Sequence, residues 1–318
     1  MSRQVLLISA ALAGILATGP AMAKSMLYQI VLVTGSRSTN VFGINDHAVA
    51  TGSWLDVSGV EHGYVGVPDG AGYTTFDDPT DPGTEPRGIN DGGYIMGFDN
   101  SQNRSPEAYI PFERAPDGTI TNVTMGGATL NNLVQGINNN KKKNEFTGSY
   151  YNKSLNVVGY VGKSAAFTKG IRLKGIANSG VAGRGIDTAG DIVGWYLDNA
   201  GVEHGFLLSR GNASTIDYSG AAYTVLEGIN DKGVISGYYD DKSGIIHGFT
   251  YDIAAKTFHE IKVPGARSFV QAWGINDKGW VAIASDVGNY VYCPSDKDCV
   301  ATGFVFRRPL QKLHPLLP

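Results

Sequence analysis

A six-residue motif that begins at Gly274 and reads Gly-Ile-Asn-Asp-Lys-Gly constrains the fold more than any other feature. Related segments begin at Gly43, Gly88, Gly136, Gly185 and Gly228, with spacings of 45, 48, 49, 43 and 46 residues. Two copies depart from the pattern and read Gly-Ile-Asn-Asn, from 136, and Gly-Ile-Asp-Thr, from 185. A nearly regular spacing in this range indicates a repeat architecture.

Each unit contains the patterns of four short strands. The Ile is typical of a strand, and Asn-Asp followed by Gly two residues later is typical of a hairpin turn. Apolar alternation resumes afterwards, as in 234–238, and an Asp-x-x-Gly turn follows at 56–59, 198–201 and 241–244. A His-Gly-aromatic segment and a β-rich run such as 257–261 complete the unit. Four antiparallel strands in about 45 residues make one propeller blade, so the sequence predicts an all-β, six-bladed β-propeller.

The two ends of the chain predict how the ring closes. After Gly274 the sixth unit reaches its third strand pattern at 303–306 and has no fourth. Leu27–Ile30 lies as far before its Gly-Ile-Asn as Phe258–Ile261 lies before the next copy. We therefore expect the N-terminal strand to complete the last blade, which also removes an exposed sheet edge.

The first 23 residues have the three regions of a secretory signal peptide. Arg3 precedes an apolar run from Val5 to Ala17, and a small-x-small cleavage site follows at Ala21–Ala23. The apolar run is too short for a permanent membrane span. We therefore predict a signal peptide over 1–23, a propeller over 24–308 and a flexible tail over 309–318. The expected location is secreted or periplasmic, with no membrane span.

Net charge and cysteine content limit the classes of partner and the compartment that the sequence favours. The formal net charge is −3, so there is no basic surplus for nucleic acid or anionic membranes. The chain has two cysteines, Cys293 and Cys299, in what looks like an extended hairpin loop of the sixth unit. In an exported protein their default state is a disulfide.

The repeated Gly-Ile-Asn-Asp-x-Gly with a later His-Gly-aromatic segment resembles the bacterial extracellular repeats called the HAF family. The segments that carry the resemblance are His62-Gly63-Tyr64, His204-Gly205-Phe206 and His247-Gly248-Phe249, with Gly in place of the family's Ala. It extends from Ser25 to about Arg307 and is most specific in units one, four and five. The resemblance implies export and a repeat fold, and it supplies no catalytic residue.

The repeat histidines do not predict a metal site. Aligned by unit, their position holds His62, Glu107, Val158, His204, His247 and Thr302. Equivalent positions on different blades are spread around a ring, so we expect each imidazole to bond backbone between blades. No segment has the oxygen-rich spacing of a calcium loop, which leaves at most incidental calcium and no predicted metal or other cofactor.

No motif for nucleophilic catalysis, phosphate binding or dinucleotide binding occurs, so no catalytic residue is predicted. Large aromatic residues follow the second-strand Gly, and we expect most of them in the core: Trp54, Phe98, Tyr150, Trp195 and Tyr238.

The position just before each Gly-Ile varies in chemistry although the motif repeats. It holds Phe42, Arg87, Gln135, Arg184, Glu227 and Trp273, which we predict to ring the mouth of the central channel as candidate ligand-binding residues. Packing between blades explains Phe42 and Trp273 equally well.

The sequence therefore favours an exported binding or interaction scaffold for a glycan, an extracellular polymer or another exported protein. One alternative is a carbohydrate hydrolase or lyase with perturbed carboxylates at the channel mouth. Another is a structural envelope protein, which needs no concave pocket. The sequence leaves the oligomeric state open.

Overall fold

The structure is a computed structural model that describes residues 26–29, 35–67, 72–79, 83–99, 109–123, 130–140 and 144–294. These residues form 25 strands in six antiparallel sheets arranged as the blades of a β-propeller, which confirms the predicted fold class. No helix long and apolar enough to cross a membrane occurs in the part of the chain described.

The blades follow one another along the chain. Blade 1 contains β2 (Ser38–Thr39), β3 (Gly43–Ile44), β4 (Ala50–Leu55), β5 (Glu61–Gly66) and β6 (Thr74–Phe76). Blade 2 contains β7 (Thr84–Ile89), β8 (Ile95–Asp99), β9 (Pro111–Arg114) and β10 (Ile120–Asn122). Blade 3 contains β11 (Leu130–Ile137), β12 (Glu145–Tyr151), β13 (Val157–Lys163) and β14 (Ala166–Gly170).

The second half of the ring is more regular. Blade 4 contains β15 (Gly180–Ile186), β16 (Ile192–Leu197), β17 (Glu203–Ser209) and β18 (Asn212–Thr215). Blade 5 contains β19 (Tyr223–Ile229), β20 (Val234–Asp240), β21 (Ile246–Asp252) and β22 (Thr257–Ile261). Blade 6 contains β23 (Val270–Ile275), β24 (Val281–Ser285), β25 (Gly288–Cys293) and, from the other end of the chain, β1 (Met26–Gln29).

Strand β1 is the fourth strand of blade 6, as the sequence predicts. The third strand, however, is β25 and not the predicted segment 303–306, because a tight turn after Ser285 starts it at Gly288. It pairs antiparallel with β25 in a register that sets Met26 opposite Cys293 and Gln29 opposite Tyr290. Leu27 packs against the apolar cluster that joins blades 5 and 6. The ring is therefore closed by hydrogen bonds between the first and last strands described.

The Asn of each motif shapes its own hairpin turn, again as predicted. Asn276 is typical, because its Oδ1 accepts hydrogen bonds from the backbone N–H groups of Lys278 and Trp280 at 3.0 and 2.9 Å. The turn needs a left-handed residue two positions after the Asp, and Gly279 provides it with φ of 78°. In blade 1 Ala48 occupies this position with φ of 57°.

The same Asn side chains join each blade to the next. Nδ2 of Asn45 donates to the carbonyl of Asn90 at 3.1 Å, and Nδ2 of Asn276 donates back to the carbonyl of Asn45 at 2.9 Å. Equivalent bonds link the other neighbours except blades 4 and 5, and we call this set the asparagine ring: Asn45, Asn90, Asn138, Asp187, Asn230 and Asn276. The exception arises because the residue of blade 4 is Asp187, and a carboxylate cannot donate.

The residue after the Asn forms a second ring on the same turns. The N–H of Asp46 donates to Oδ1 of Asp91 at 2.8 Å, and the N–H of Asp277 donates to Oδ1 of Asp46 at 2.9 Å. Equivalent bonds link the other described neighbours except blades 3 and 4, and we call this set the aspartate ring, with Asn139 and Thr188 in blades 3 and 4: Asp46, Asp91, Asn139, Thr188, Asp231 and Asp277. Both rings explain why the motif repeats with so little change.

The first Gly of the motif is required by close approach rather than by a left-handed backbone. A Cβ on Gly136 would lie 2.4 Å from the carbonyl oxygen of Arg184, and one on Gly274 would lie 2.7 Å from that of Phe42. The innermost strands of neighbouring blades thus meet through glycine, which keeps the ring narrow at its centre.

Candidate functional site

The innermost strands enclose a central channel with two chambers. The upper chamber, with a volume of about 60 Å³, is lined by the residue before each motif, the first Gly and the Ile. The lower chamber, of about 40 Å³, is lined by the same Ile side chains and by Asn and Asp residues of the turns. The Ile side chains that lie between the two chambers are Ile44, Ile89, Ile137, Ile186, Ile229 and Ile275.

All six candidate residues line the upper chamber: Phe42, Arg87, Gln135, Arg184, Glu227 and Trp273. In blades 2 to 6 a β-bulge brings them there. In blade 4, for example, Gly183 pairs with Gly194 and Gly185 pairs with Val193, so Arg184 has no opposite residue. Register shifts span the same position in the other four blades. A bulge re-aims the side chain of its extra residue, which the repeat alone could not reveal.

Arg87 forms one side of the upper chamber. Its guanidinium carbon lies 4.1 Å from the centre of the Phe42 ring and 5.1 Å from that of Trp273, and it forms an ion pair with Glu85. The phenyl and indole rings lie edge to face at 5.1 Å. The cation is therefore held by aromatic faces and one carboxylate.

Arg184 and Glu227 form the opposite side. Nη1 of Arg184 lies 3.9 Å from Oε2 of Glu227, whose side chain is 3% exposed. Burial raises the pKa of the Glu227 carboxyl above its ordinary value, although the charges of Arg184 and Arg87 and a hydrogen bond with the Tyr238 side chain pull it down. This side of the chamber is therefore a loosely paired, buried acid and base.

Several buried polar atoms of these side chains have no hydrogen-bond partner among the described residues. They are Nε and Nη1 of Arg87, Nε of Arg184, Oε1 of Glu227 and Nε1 of Trp273. Unpaired buried polar atoms cost about 1–3 kcal/mol each, so this clustered set needs hydrogen bonds from water or from another molecule.

The aromatic residues expected in the core have a more specific position. Phe98 lies 5.4 Å from the Arg87 guanidinium, Trp195 lies 6.0 Å from that of Arg184, and Tyr238 lies 6.2 Å from the Trp273 ring. They surround the channel residues as an outer aromatic layer. Trp54 and Tyr150 instead pack on His62 and Tyr160.

The repeat histidines bind carboxylates within their own blade, so the expectation that they bond backbone between blades is wrong. Nδ1 of His204 lies 2.7 Å from Oδ2 of Asp217, and its Nε2 lies 3.5 Å from Oδ2 of Asp198. The imidazole also stacks on Tyr196 at 5.2 Å. His62 and His247 have the same arrangement. In blades 2 and 6 the strand registers place Ile110 and Gly288 at this position, so the predicted equivalents Glu107 and Thr302, which lie outside the described residues, are wrong.

The carboxylates in and beside the lower chamber accept hydrogen bonds from the turns of neighbouring blades. Burial, followed by the charge of Asp91, raises the pKa of Asp46; burial, followed by the charges of Asp231 and Asp46, raises that of Asp277. Their Oδ1 atoms nevertheless accept backbone N–H groups of neighbouring blades. Within the described ranges no group of three or more His, Cys, Asp or Glu side chains is arranged to hold a metal ion.

Most residues of the predicted disulfide and signal peptide lie outside the part of the chain that the structure describes. Cys293 is buried at the end of β25, whereas Cys299 and residues 1–25 lie outside the described residues. Both features therefore stay predictions.

The chain belongs to the class of six-bladed β-propellers, and comparison with known proteins places it within that fold alone. No protein-family model matches the chain, and no curated protein matches it significantly. Among solved structures it is similar to XC5397 from Xanthomonas campestris, described as a gluconolactonase, with a TM-score of 0.51 and 11% identity over 86% of this chain and 90% of that one.

Two further structures show the same likeness. AofleA from Arthrobotrys oligospora has a TM-score of 0.50 and 11% identity, covering 85% of each chain. TolB from Acinetobacter baumannii has a TM-score of 0.50 and 13% identity over 78% of this chain, which spans 64% of the TolB chain.

Proposed function

We propose that the chain is an exported binding protein whose upper chamber receives the hydroxyl-bearing edge of a neutral sugar within a larger glycan. The observation that supports this most is the cluster of unpartnered polar atoms on Arg87, Arg184, Glu227 and Trp273. Guanidinium and indole N–H groups donate, and the Glu227 oxygen accepts. A sugar hydroxyl does both, so it satisfies this set better than an anion or a cation does.

The charge and size of the chamber support the same ligand. Arg87 is paired with Glu85, and Arg184 lies near Glu227, so the chamber has no surplus of either sign. A volume of about 60 Å³ holds roughly four to six water-sized groups, which is less than a whole sugar ring. Trp273 and Phe42 offer apolar surface at the mouth for the rest of the sugar.

The upper chamber favours binding over the two alternatives. Glycoside hydrolysis needs two carboxyl groups about 5–10 Å apart, and Glu227 is the one carboxylate among the described residues of this lining. A structural envelope protein needs no prepared chamber.

The test is thermal melting and calorimetric titration of the mature protein with a panel of neutral oligosaccharides. A ligand that binds only the folded state stabilises it and so raises the melting temperature. At a ligand concentration of a hundred times Kd the free energy of unfolding increases by about 2.7 kcal/mol. We expect at least one neutral glycan to do so. Arg184→Gln and Glu227→Gln should each weaken binding about tenfold or more, since each replaces a charged hydrogen-bond partner by a neutral amide.

Arg114→Gln is the matched control. Arg114 is also partly buried, stacks on Phe76 at 4.6 Å and lies outside the chamber lining. Its loss should leave glycan affinity unchanged. If no neutral glycan shifts the melting temperature, or if all three variants bind alike, the proposal is wrong and an exported protein partner becomes the better candidate. A shift caused by calcium and reversed by chelator would instead indicate a metal site.

A further inference from the structure

A cavity larger than either chamber of the channel lies away from it, between blades 3 and 4. It has a volume of about 390 Å³, against about 60 Å³ for the upper chamber. It opens at the end of the propeller that carries the hairpin turns, beside Ala189 and Gly190 of the blade 4 turn. Ligand pockets commonly have volumes of about 300–1,000 Å³, so this cavity, the blade 3–4 groove, is of ligand size.

Comparison of blades shows why the groove exists. On the third and fourth strands of blade 5, Tyr251 lies opposite Phe258, and both rings pack into the interface with blade 4. At the equivalent positions blade 6 pairs Tyr292 with Leu27. Blade 4 pairs Leu208 with Ala213. The smaller side chains of blade 4 therefore leave a space open between blades 3 and 4. The aromatic rings of blade 5 fill the corresponding space between blades 4 and 5.

The floor of the groove is apolar. It is formed by Val161 and Ile171 of blade 3 and by Ile192 and Leu208 of blade 4. Ile171 and Ile192 are 8% and 4% exposed, so they belong to the core cluster that joins the two blades. Such a floor suits the apolar face of a ring.

The rim of the groove is cationic. Lys169, Arg172 and Arg210 line it and are exposed, and none of them forms an ion pair with another described residue. The one acidic residue of the lining, Asp191, already accepts a hydrogen bond from the Ser209 hydroxyl at 2.7 Å. Three unpaired cations against one engaged carboxylate give the groove a positive surplus that the chain as a whole, with a net charge of −3, lacks.

We propose that the blade 3–4 groove is a second ligand site, separate from the upper chamber, that binds a carboxylated sugar ring. The apolar C–H face of a uronic acid would lie on the Ile171–Ile192 floor, and its carboxylate would meet the guanidinium groups of Arg172 and Arg210. Arginine binds carboxylates with two parallel hydrogen bonds, which fixes the orientation of the ring as well as its charge.

Calorimetric titration with trigalacturonic acid, its neutral methyl ester and inorganic phosphate tests the proposal. We expect the acid to bind, with affinity that falls as salt rises, because exposed charges are screened. The ester should bind at least tenfold more weakly, and phosphate should not compete, because it has no apolar face. Equal affinity for acid and ester, effective competition by phosphate, or no binding of the acid would each overturn the proposal.

Variants locate the site. Arg172→Gln and Arg210→Gln should each weaken binding of the acid about tenfold. Lys262→Gln is the matched control, because Lys262 follows Ile261 in blade 5 as Arg172 follows Ile171 in blade 3, and it should have no effect. Equal losses in the control and the groove variants would contradict the assignment.

A second design fills the groove instead of removing charge. The double variant Leu208→Tyr with Ala213→Phe installs the blade 5 pair in blade 4 and should abolish binding while the protein still melts cooperatively. Arg184→Gln, in the upper chamber, should leave acid binding intact. Binding that survives the filling in a folded protein would overturn the proposal.

Discussion

Each residue of the Gly-Ile-Asn-Asp motif has a separate physical task. The Gly allows neighbouring strands to meet, the Ile lines the channel, the Asn shapes its turn and bonds the next blade, and the Asp accepts an N–H from the preceding blade. The sequence predicts the turn-forming role of Asn and of the later Gly, because that chemistry is local. It does not reveal the bonds between blades, because these join residues 43 to 49 positions apart, or 231 across the closure.

Asp187 is the residue that interrupts the asparagine ring, and its replacement should stabilise the protein. Burial raises the pKa of its carboxyl to about 6. Asp187→Asn restores a donor for the carbonyl of Asn230 and removes a buried charge, so we expect a gain of about 1–2 kcal/mol at neutral pH. For a domain of this size the melting temperature should rise by roughly 2–6 °C.

The gain should depend on pH in a defined direction. Because the folded-state pKa is raised, protonation of Asp187 stabilises the wild type below the unfolded value near 3.8, and that stability is lost as pH rises through about 6. The advantage of Asn should therefore be larger at pH 7.5 than at pH 4. Asp117→Asn, at an exposed turn, should give no gain, and Asn230→Asp should destabilise by removing the bond to Asn276. A variant no more stable than wild type at pH 7.5 would refute the account.

His204 should make stability depend on pH in the neutral range. Burial lowers its pKa, but hydrogen bonds and charges from Asp217 and Asp198 outweigh burial and raise the pKa above 6.5. Its contribution is therefore fully present below 6.5 and is lost as pH rises through the raised value. His204→Gln should cost on the order of 0.5–1 kcal/mol at pH 5.5 and less at pH 8.5, measured by urea unfolding. His259→Gln, whose imidazole bonds Thr257, is the control and should show no such difference.

At the scale of strands and blades, the sequence predicts the number and order of the blades better than it predicts the β-bulges within their strands. Turn residues that recur at fixed offsets define the strands of the regular units, but in unit six they misplace the third strand, which is Gly288–Cys293 and not 303–306. The bulges that aim Arg184 and its equivalents into the channel depend on register between two strands, which no local pattern specifies. Variation between units therefore identifies the candidate residues, but only the structure shows why their side chains converge on the channel.

Strand β1 should be indispensable because it covers the edge of β25. A mature chain that begins at residue 34 lacks the strand and exposes the backbone groups that pair Met26 with Cys293 and Gln29 with Tyr290. We expect a loss of more than about 3 kcal/mol and a tendency to aggregate, compared with the chain that begins at residue 24. Thermal melting and light scattering measure both effects.

The matched truncation removes 309–318, the tail predicted to be flexible, and should leave the melting temperature within about 1 °C of the full mature chain, because loosely packed termini contribute little. Near wild-type melting of the chain that begins at residue 34 would show that β1 does not close the ring.

At the scale of the whole molecule, the number of blades follows from counting motifs, but the cavities do not. The upper chamber depends on six side chains that meet only when the ring closes. The blade 3–4 groove lies where blade 4 has the pair Leu208 and Ala213, which is smaller than the equivalent pair of blade 5. Aligning the units could have revealed this pair, because blade 5 has Tyr251 and Phe258 there. The volume of the groove that results can be seen only in the three-dimensional interface between the blades.

The two hydrogen-bond rings give the propeller a direction. In each bond described above, a blade donates to the one that follows it, and blade 6 donates to blade 1 by the same rule. The junctions therefore share one head-to-tail pattern, although among the described residues the asparagine bond is missing between blades 4 and 5 and the aspartate-ring bond between blades 3 and 4. A chain in which a unit with the complete motif, such as unit five, is duplicated would meet the same donors and acceptors at the new junction. These bonds therefore do not by themselves fix the number of blades, and copying a unit is an available route by which such a protein could change its size.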